Sequence, residues 1–138
     1  MPEQNTSPVR CYLVDDDKIF NLISAKIIEK SGWPVQLSIF TNASEALASL
    51  VAAQDDLNAV PSMILLDVRM PDMDGFEFLD GLQNLNPTLL SKINVYMLTS
   101  SLDDRDINRA LSFPMVRKFF NKPLSIQDME LILQDQAT

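Results

Sequence analysis

Histidine is absent from the sequence. That excludes histidine-ligated metals, Ser-His and Cys-His nucleophile systems and a phosphohistidine of the chain's own, so a phosphoryl group would have to land on another side chain. Cysteine occurs once, at Cys11. It cannot pair within the chain and lies in an apolar run, which predicts a small buried thiol in a reducing compartment rather than a disulfide framework. No apolar run approaches the roughly twenty residues that span a bilayer, and residues 1–10 lack the hydrophobic segment of a secretory signal. A cytoplasmic protein with no membrane partner is the expectation. Positive charge is scarce, 11 Lys and Arg against 19 Asp and Glu for a net charge of −8. That sign opposes a phosphate backbone, so direct nucleic-acid binding is not expected.

What is present suffices for one hydrophobic core: 138 residues, 46% apolar and 22% charged, a globular balance far from that of disordered chains. The expected organisation is a flexible leader over 1–8 and one domain over 9–136, with no output domain. Arg10–Asp15 is a short apolar run closed by acids, as in a strand buried on both faces. Ile19, Ile23 and Ile27 then recur at helical spacing up to Gly32 and Pro34. Val35–Phe40 alternates as a strand, and Asn42-Ala-Ser-Glu45 opens a helix through about Ala53. Met63–Asp67 repeats the apolar run ending in an acid. A third helix is predicted over Phe76–Leu85, stopped by Asn86-Pro87, and a fourth strand over Ile93–Leu98. A helix over Leu102–Leu111, a strand over Met115–Phe120 and a last helix capped by Ser125-Ile-Gln-Asp128 complete the chain. Five strands alternating with five helices imply an α/β fold, a doubly wound parallel sheet with right-handed crossovers.

Ligands of such sheets bind beyond the carboxyl ends of the strands, where the winding reverses. With strand order 2-1-3-4-5, the flavodoxin-like arrangement, the ends of strands 1 and 3 are neighbours there. Asp15, Asp16 and Asp67 would then share one pocket, with Thr99 and Lys122 arriving from strands 4 and 5. Carboxylates brought together raise one another's pKa and destabilise the fold unless a cation sits among them. Oxygen donors without nitrogen or sulfur favour Mg²⁺, which also accepts phosphate oxygens. A hydroxyl and an ammonium beside it suit a transferring phosphoryl group.

Val14-Asp-Asp-Asp17, Leu65-Leu-Asp-Val-Arg-Met-Pro-Asp-Met-Asp-Gly75, Met97-Leu-Thr-Ser100 and Lys122-Pro123 closely resemble the receiver domains of two-component response regulators, from about Arg10 to Gln134. Position by position, the resemblance implies Asp67 as phosphoacceptor. Asp16 and Asp67 would be Mg²⁺ ligands, Asp15 would hold the metal's water, and the backbone carbonyl of Arg69 would complete the protein's share of the shell. It further implies that Thr99 and Lys122 grip the phosphoryl group and that the bond before Pro123 is cis. Thr99 and Phe119 would form a switch that alters the face made by the helix after strand 4, strand 5 and the last helix. The implied partners are a sensor histidine kinase or histidine phosphotransfer protein and a downstream protein target, with a monomer or a phosphorylation-dependent dimer as the assembly.

Three features depart from the family pattern. Phe119 lacks the hydroxyl of the frequent tyrosine, Ser112-Phe-Pro-Met115 replaces a small glycine-containing turn, and extra residues lengthen the loop around Ala53–Ser62. Two other readings of the acids exist. Asp15-x-Asp17 also opens the haloacid-dehalogenase-like phosphohydrolases, in which Asp15 would be the nucleophile, and the chain could be a phosphorylation-independent interaction module. Among the remaining residues, Asp17 reads as an exposed helix N-cap and Arg69 as a solvent-facing side chain. Asp72 and Asp74 read as turn formers, with Gly75 supplying a permissive backbone.

Overall fold

The computed structural model describes residues 8–100 and 103–137. The leader over 1–7 and the expected helix start at 102 lie outside the described residues. Five strands, β1 Val9–Val14, β2 Val35–Phe40, β3 Met63–Asp67, β4 Asn94–Thr99 and β5 Val116–Asn121, form one sheet in the order β2-β1-β3-β4-β5. Every adjacent pair is parallel. The helices are α1 Lys18–Ser31, α2 Ala43–Ala53, α3 Gly75–Leu82, α4 Pro87–Leu90, α5 Asp104–Leu111 and α6 Ile126–Ala137.

The sheet divides two apolar cores. On one side Tyr12, Val14, Ile64, Leu66, Val95 and Met97 meet α2, α3 and α5. On the other Cys11, Leu13, Leu65, Tyr96 and Leu98 meet Phe20 and Ile28 of α1 and Met129, Ile132 and Leu133 of α6. The period of two in each strand produces this division, since alternate side chains leave opposite faces. β3 is buried at all five positions, whereas the edge strand β2 alternates. Cys11 is fully buried and its thiol is pushed up by that burial, which makes it inert.

One irregularity interrupts the ladder. Val95 pairs with Val116 but Tyr96 pairs with Lys118, so Arg117 is an extra residue in β5. Beyond the bulge, Phe119 lies opposite Met97 and packs against the α3 and α5 core, while Phe120 packs against the core beneath α6.

Local sequence explains the ends of the helices. Asp17 caps α1 by accepting from the backbone N–H groups of Ile19 and Phe20, and Gly32 ends it at φ 79°, where a glycine relieves strain. Asn42 caps α2, and Asp74 forms a reciprocal capping box with Glu77 at the start of α3. Ser125 and Asp128 exchange hydrogen bonds in the same way before α6.

One helix boundary differs from expectation. The third helix ends at Leu82, short of the expected Leu85, so Asn86-Pro87 does not stop it and instead opens a sixth, four-residue helix. Asn86 accepts from the Thr88 N–H, and Pro87 occupies the first turn, where its missing N–H costs nothing. The row Ile19, Ile23, Ile27 marks the helix correctly and runs along the edge of its inward face, with Ile27 packed against the core and Ile19 and Ile23 exposed. Ile19 is 72% exposed, and the buried residues are Phe20, Asn21, Ser24 and Ile28.

Candidate functional site

The acids and their cation meet at the carboxyl ends of the strands. Asp15 follows β1 directly and is held on several sides. Its backbone N–H donates to the carbonyl of Phe40 at 3.0 Å, and its carbonyl accepts from Asn21 Nδ2 at 2.9 Å. Its Oδ1 accepts from the Asp17 N–H at 2.9 Å, and the residue is 0% exposed. Asp67 is the last residue of β3 and is 4% exposed. Asp16 lies in the turn between β1 and α1, open to solvent. Carboxylate oxygens of Asp15, Asp16 and Asp67 all lie within 4.8 Å of one another.

Lys122 enters from the end of β5, its N–H donating to the Thr99 carbonyl at 2.9 Å. Its Nζ is 2.7 Å from Asp15 Oδ2 and 3.8 Å from Asp67 Oδ1. The shorter contact is a close ion pair, and apart from Lys122 Asp15 Oδ2 accepts from no described protein group. The ring of Phe20 covers the ammonium at 4.4 Å, a cation–π contact that excludes water from one side. The Lys122-Pro123 bond is cis, as the resemblance implies.

The electrostatic consequence is measurable. Burial, reinforced by the charge of Asp15, pushes Asp67 from 3.8 up to about 7 despite the opposing pull of Lys122 and a hydrogen bond from the Arg69 N–H. Burial likewise raises Asp15, outweighing Lys122. One ammonium among three carboxylates leaves the pocket with unneutralised negative charge. An all-oxygen donor set with an unused acceptor oxygen fits a hard divalent cation.

Thr99 ends β4 at 3% exposure, its carbonyl anchoring Lys122. Phe119 is half-buried on β5. The Arg69 side chain is exposed, as expected, but not loose: it pairs with Asp106 of α5 at 2.6 Å. Asp72 adopts φ 67° in the turn before α3. Gly75 is needed for a different reason from the one read in the sequence. Its φ is not in the left-handed region; instead, a Cβ there would lie 2.6 Å from the Asp67 carbonyl oxygen. The absence of a side chain lets α3 start against the end of β3.

Sequence reasoning missed Phe20 and Asn21, which reach the site from the first turn of α1. No local pattern marks them; Asn21 on a buried helical face was the available signal. The geometry also weakens the phosphohydrolase reading. Asp15, its nucleophile, is fully enclosed and bonded, and Asp17 is engaged in capping.

Comparison with known proteins agrees with this site. The family model described as the response regulator receiver domain matches residues 11–134. The probable methanogenesis regulatory protein FilR2 of Methanothrix harundinacea is 29% identical over 93% of this chain and 81% of its own length. Of several other curated relatives the chain spans 30% to 52% of the length. A two-component response regulator structure from Cytophaga hutchinsonii is 27% identical with a TM-score of 0.81, covering 95% of this chain and 98% of that one. The Mn²⁺-bound response regulator Rcp1 is 27% identical at a TM-score of 0.72, covering 93% and 91%. With the parallel order β2-β1-β3-β4-β5 and acids gathered at one pole, the chain belongs to the receiver domain family of two-component response regulators, the phosphoacceptor switches of those systems.

Proposed function

We propose that Asp67 is the phosphoacceptor and that a phosphohistidine, on a sensor histidine kinase or a histidine phosphotransfer protein, is the donor. The observation that carries this reading is the position of Asp67. It lies at the end of a fully buried strand, beside Asp15 and Asp16 and 3.8 Å from the one ammonium that reaches into the pocket among the described residues. Asp15, Asp16, Asp67 and the backbone carbonyl of Arg69 would hold Mg²⁺. When bound, the ion supplies charge neutralisation for the equatorial phosphoryl oxygens. A relative of this fold solved with Mn²⁺ supports a divalent ion here.

In the transfer step a carboxylate oxygen of Asp67 forms a bond to phosphorus in line while the phosphorus–nitrogen bond of the donor breaks, and the released imidazole carries the electron pair. Lys122 exchanges part of its contact with Asp15 for a phosphoryl oxygen, and the Phe20 ring keeps its ammonium from being drawn off by water. The Thr99 hydroxyl donates to another phosphoryl oxygen. Phe119 then turns into the space Thr99 leaves, changing the α5, β5 and α6 face that a downstream protein target reads. Because Phe119 has no hydroxyl, packing alone drives this movement. The exposed side of α1, with Ile19, Leu22 and Ile23, begins two residues beyond Asp16 and offers the donor an apolar resting place. No described helix is long and apolar enough to cross a membrane, consistent with action in the cytoplasm.

The test is phosphorylation by acetyl phosphate with Mg²⁺, followed by mass spectrometry. The wild type gains one hydroxylamine-sensitive phosphoryl group and Asp67→Asn gains none. Equal stoichiometry in the Asn variant would overturn the assignment.

A further inference from the structure

A second surface is independent of the acid pocket. Along α2, Ser44, Leu47, Ala48, Val51 and Ala52 form one wall of an open groove of about 450 Å³, and Met73, from the turn between β3 and α3, forms the other. These α2 residues recur at helical spacing on the side turned from the core, and Val51 is 48% exposed. Leu47 continues the groove inward, where its methyls lie so close to Gly81 of α3 that a Cβ there would clash at 2.5 Å. Leu47 thus fills the space over Gly81 and closes the floor of the groove.

The charge around this groove has a single sign. Between residues 31 and 91 the only Lys or Arg is Arg69, and its guanidinium is turned to Asp106 of α5. The same span carries Glu45 at the start of α2, Asp55 and Asp56 beyond its end, Asp72 and Asp74 flanking Met73, and Glu77 and Asp80 on α3. An apolar strip on segments that carry seven acids and one, already paired, base is complementary to a helix with one apolar and one basic face. The same charge opposes a symmetric pairing of two copies through this face, which would set acids against acids.

We propose that the α2–Met73 groove docks a basic amphipathic helix of a partner protein, its apolar residues on Leu47, Ala48, Val51 and Met73 and its Lys and Arg side chains among the bordering acids.

The probe is a short synthetic leucine–lysine helix, with a glutamate-for-lysine version and a scrambled version as controls, added to the full chain and followed by amide shifts and fluorescence anisotropy. The expected result is saturable binding, with shifts concentrated at 44–52 and 72–74 and absent with both controls. The decisive variant is Val51→Asp, which sits on an exposed position and increases the acidity of the face. Diffuse attraction between opposite charges predicts tighter binding by this variant, whereas seating in the groove predicts affinity lower by about tenfold. Tighter or unchanged binding overturns the proposal, as do shifts that centre elsewhere. So does sedimentation showing that the chain dimerises through this groove and that Val51→Asp dissociates it.

Discussion

Replacing Asp67 by Asn should make the metal-free protein more stable while abolishing its chemistry. The side chain is ionised in the unfolded chain above about pH 4, whereas in the fold it holds its proton up to about 7. Between those values the folded state binds more protons than the unfolded state. Stability therefore falls as pH rises from about 4 to about 7 and is lowest, for this group, above that window. The ceiling on the penalty is roughly 4 kcal/mol, at about 1.4 kcal/mol per tenfold change in proton affinity. Water reaching the pocket past exposed Asp16 screens the charge, so roughly half of that, about 2 kcal/mol, is the working figure. For a chain of this length that corresponds to about 6–10 °C in the thermal midpoint. The assay is thermal denaturation of both proteins in EDTA at about pH 8.5 and about pH 5, with Mg²⁺ added in parallel. The Asn variant should lead most at the higher pH, lead by roughly half as much or less at the lower pH, which lies inside the window, and lose its lead when Mg²⁺ stabilises the wild type alone. An Asn variant no more stable than the wild type at high pH without metal, or a gain independent of pH, would refute the charge-crowding argument.

Lys122→Met removes the one ammonium facing Asp15 and Asp67 among the described residues, and should lower metal-free stability at about pH 8.5 by roughly 2–4 kcal/mol, measured by urea unfolding. Most of that loss should be recovered at about pH 5, where the carboxyls can protonate, and phosphorylation by acetyl phosphate should slow sharply. Gly75→Ala places a methyl 2.6 Å from the Asp67 carbonyl oxygen and should cost roughly 1–3 kcal/mol, with reduced phosphorylation of the folded fraction. Tyr96→Phe removes a buried hydroxyl bonded to Asp135, itself paired with Arg117 at 3.1 Å, and should cost about 1–2 kcal/mol in urea while leaving acetyl phosphate reactivity intact. Leu22→Glu on the exposed side of α1 should slow transfer from a phosphohistidine donor about tenfold while leaving acetyl phosphate, which needs no docking surface, unaffected; equal slowing of both would place the effect in the pocket.

The elements that carry the chemistry were readable because they are local. An apolar run that ends abruptly in an acid is a strand delivering a carboxylate to the edge of a sheet, and Asp15 and Asp67 both follow that grammar. Helix ends were readable where a capping side chain meets its own backbone, as at Asp17, Asn42 and Ser125. Reading failed where a residue has two permitted uses. Asn86-Pro87 can serve as a stop or as a start, and here, with the third helix already ended at Leu82, the buried seat of Leu89 goes with the start. It failed again where the deciding partner is distant in sequence. Asn21 faces inward and donates to the Asp15 carbonyl, and in that rotation of the helix Ile19 and Ile23 are exposed while Ile27 and Ile28 meet the core. Gly75 likewise answers to the neighbouring strand, not to its own torsion angles.

The extra residue in β5 has a consequence for how this chain can vary. Val116 and Phe119 are three positions apart, an odd number, yet both look toward α3 and α5; without the offset at Arg117, strict alternation would send Phe120 to that side and Phe119 to the other. One inserted backbone unit therefore sets the phase of everything downstream in the strand, including which phenylalanine lies across from Met97 and how Asn121 and Lys122 meet the end of β4. Substitutions along this stretch can be absorbed one at a time, and loss of Arg117 itself would leave the same pairs in a regular ladder, but one residue inserted between Lys118 and Phe119 would interchange the two aromatic rings and shift the lysine from its acids together.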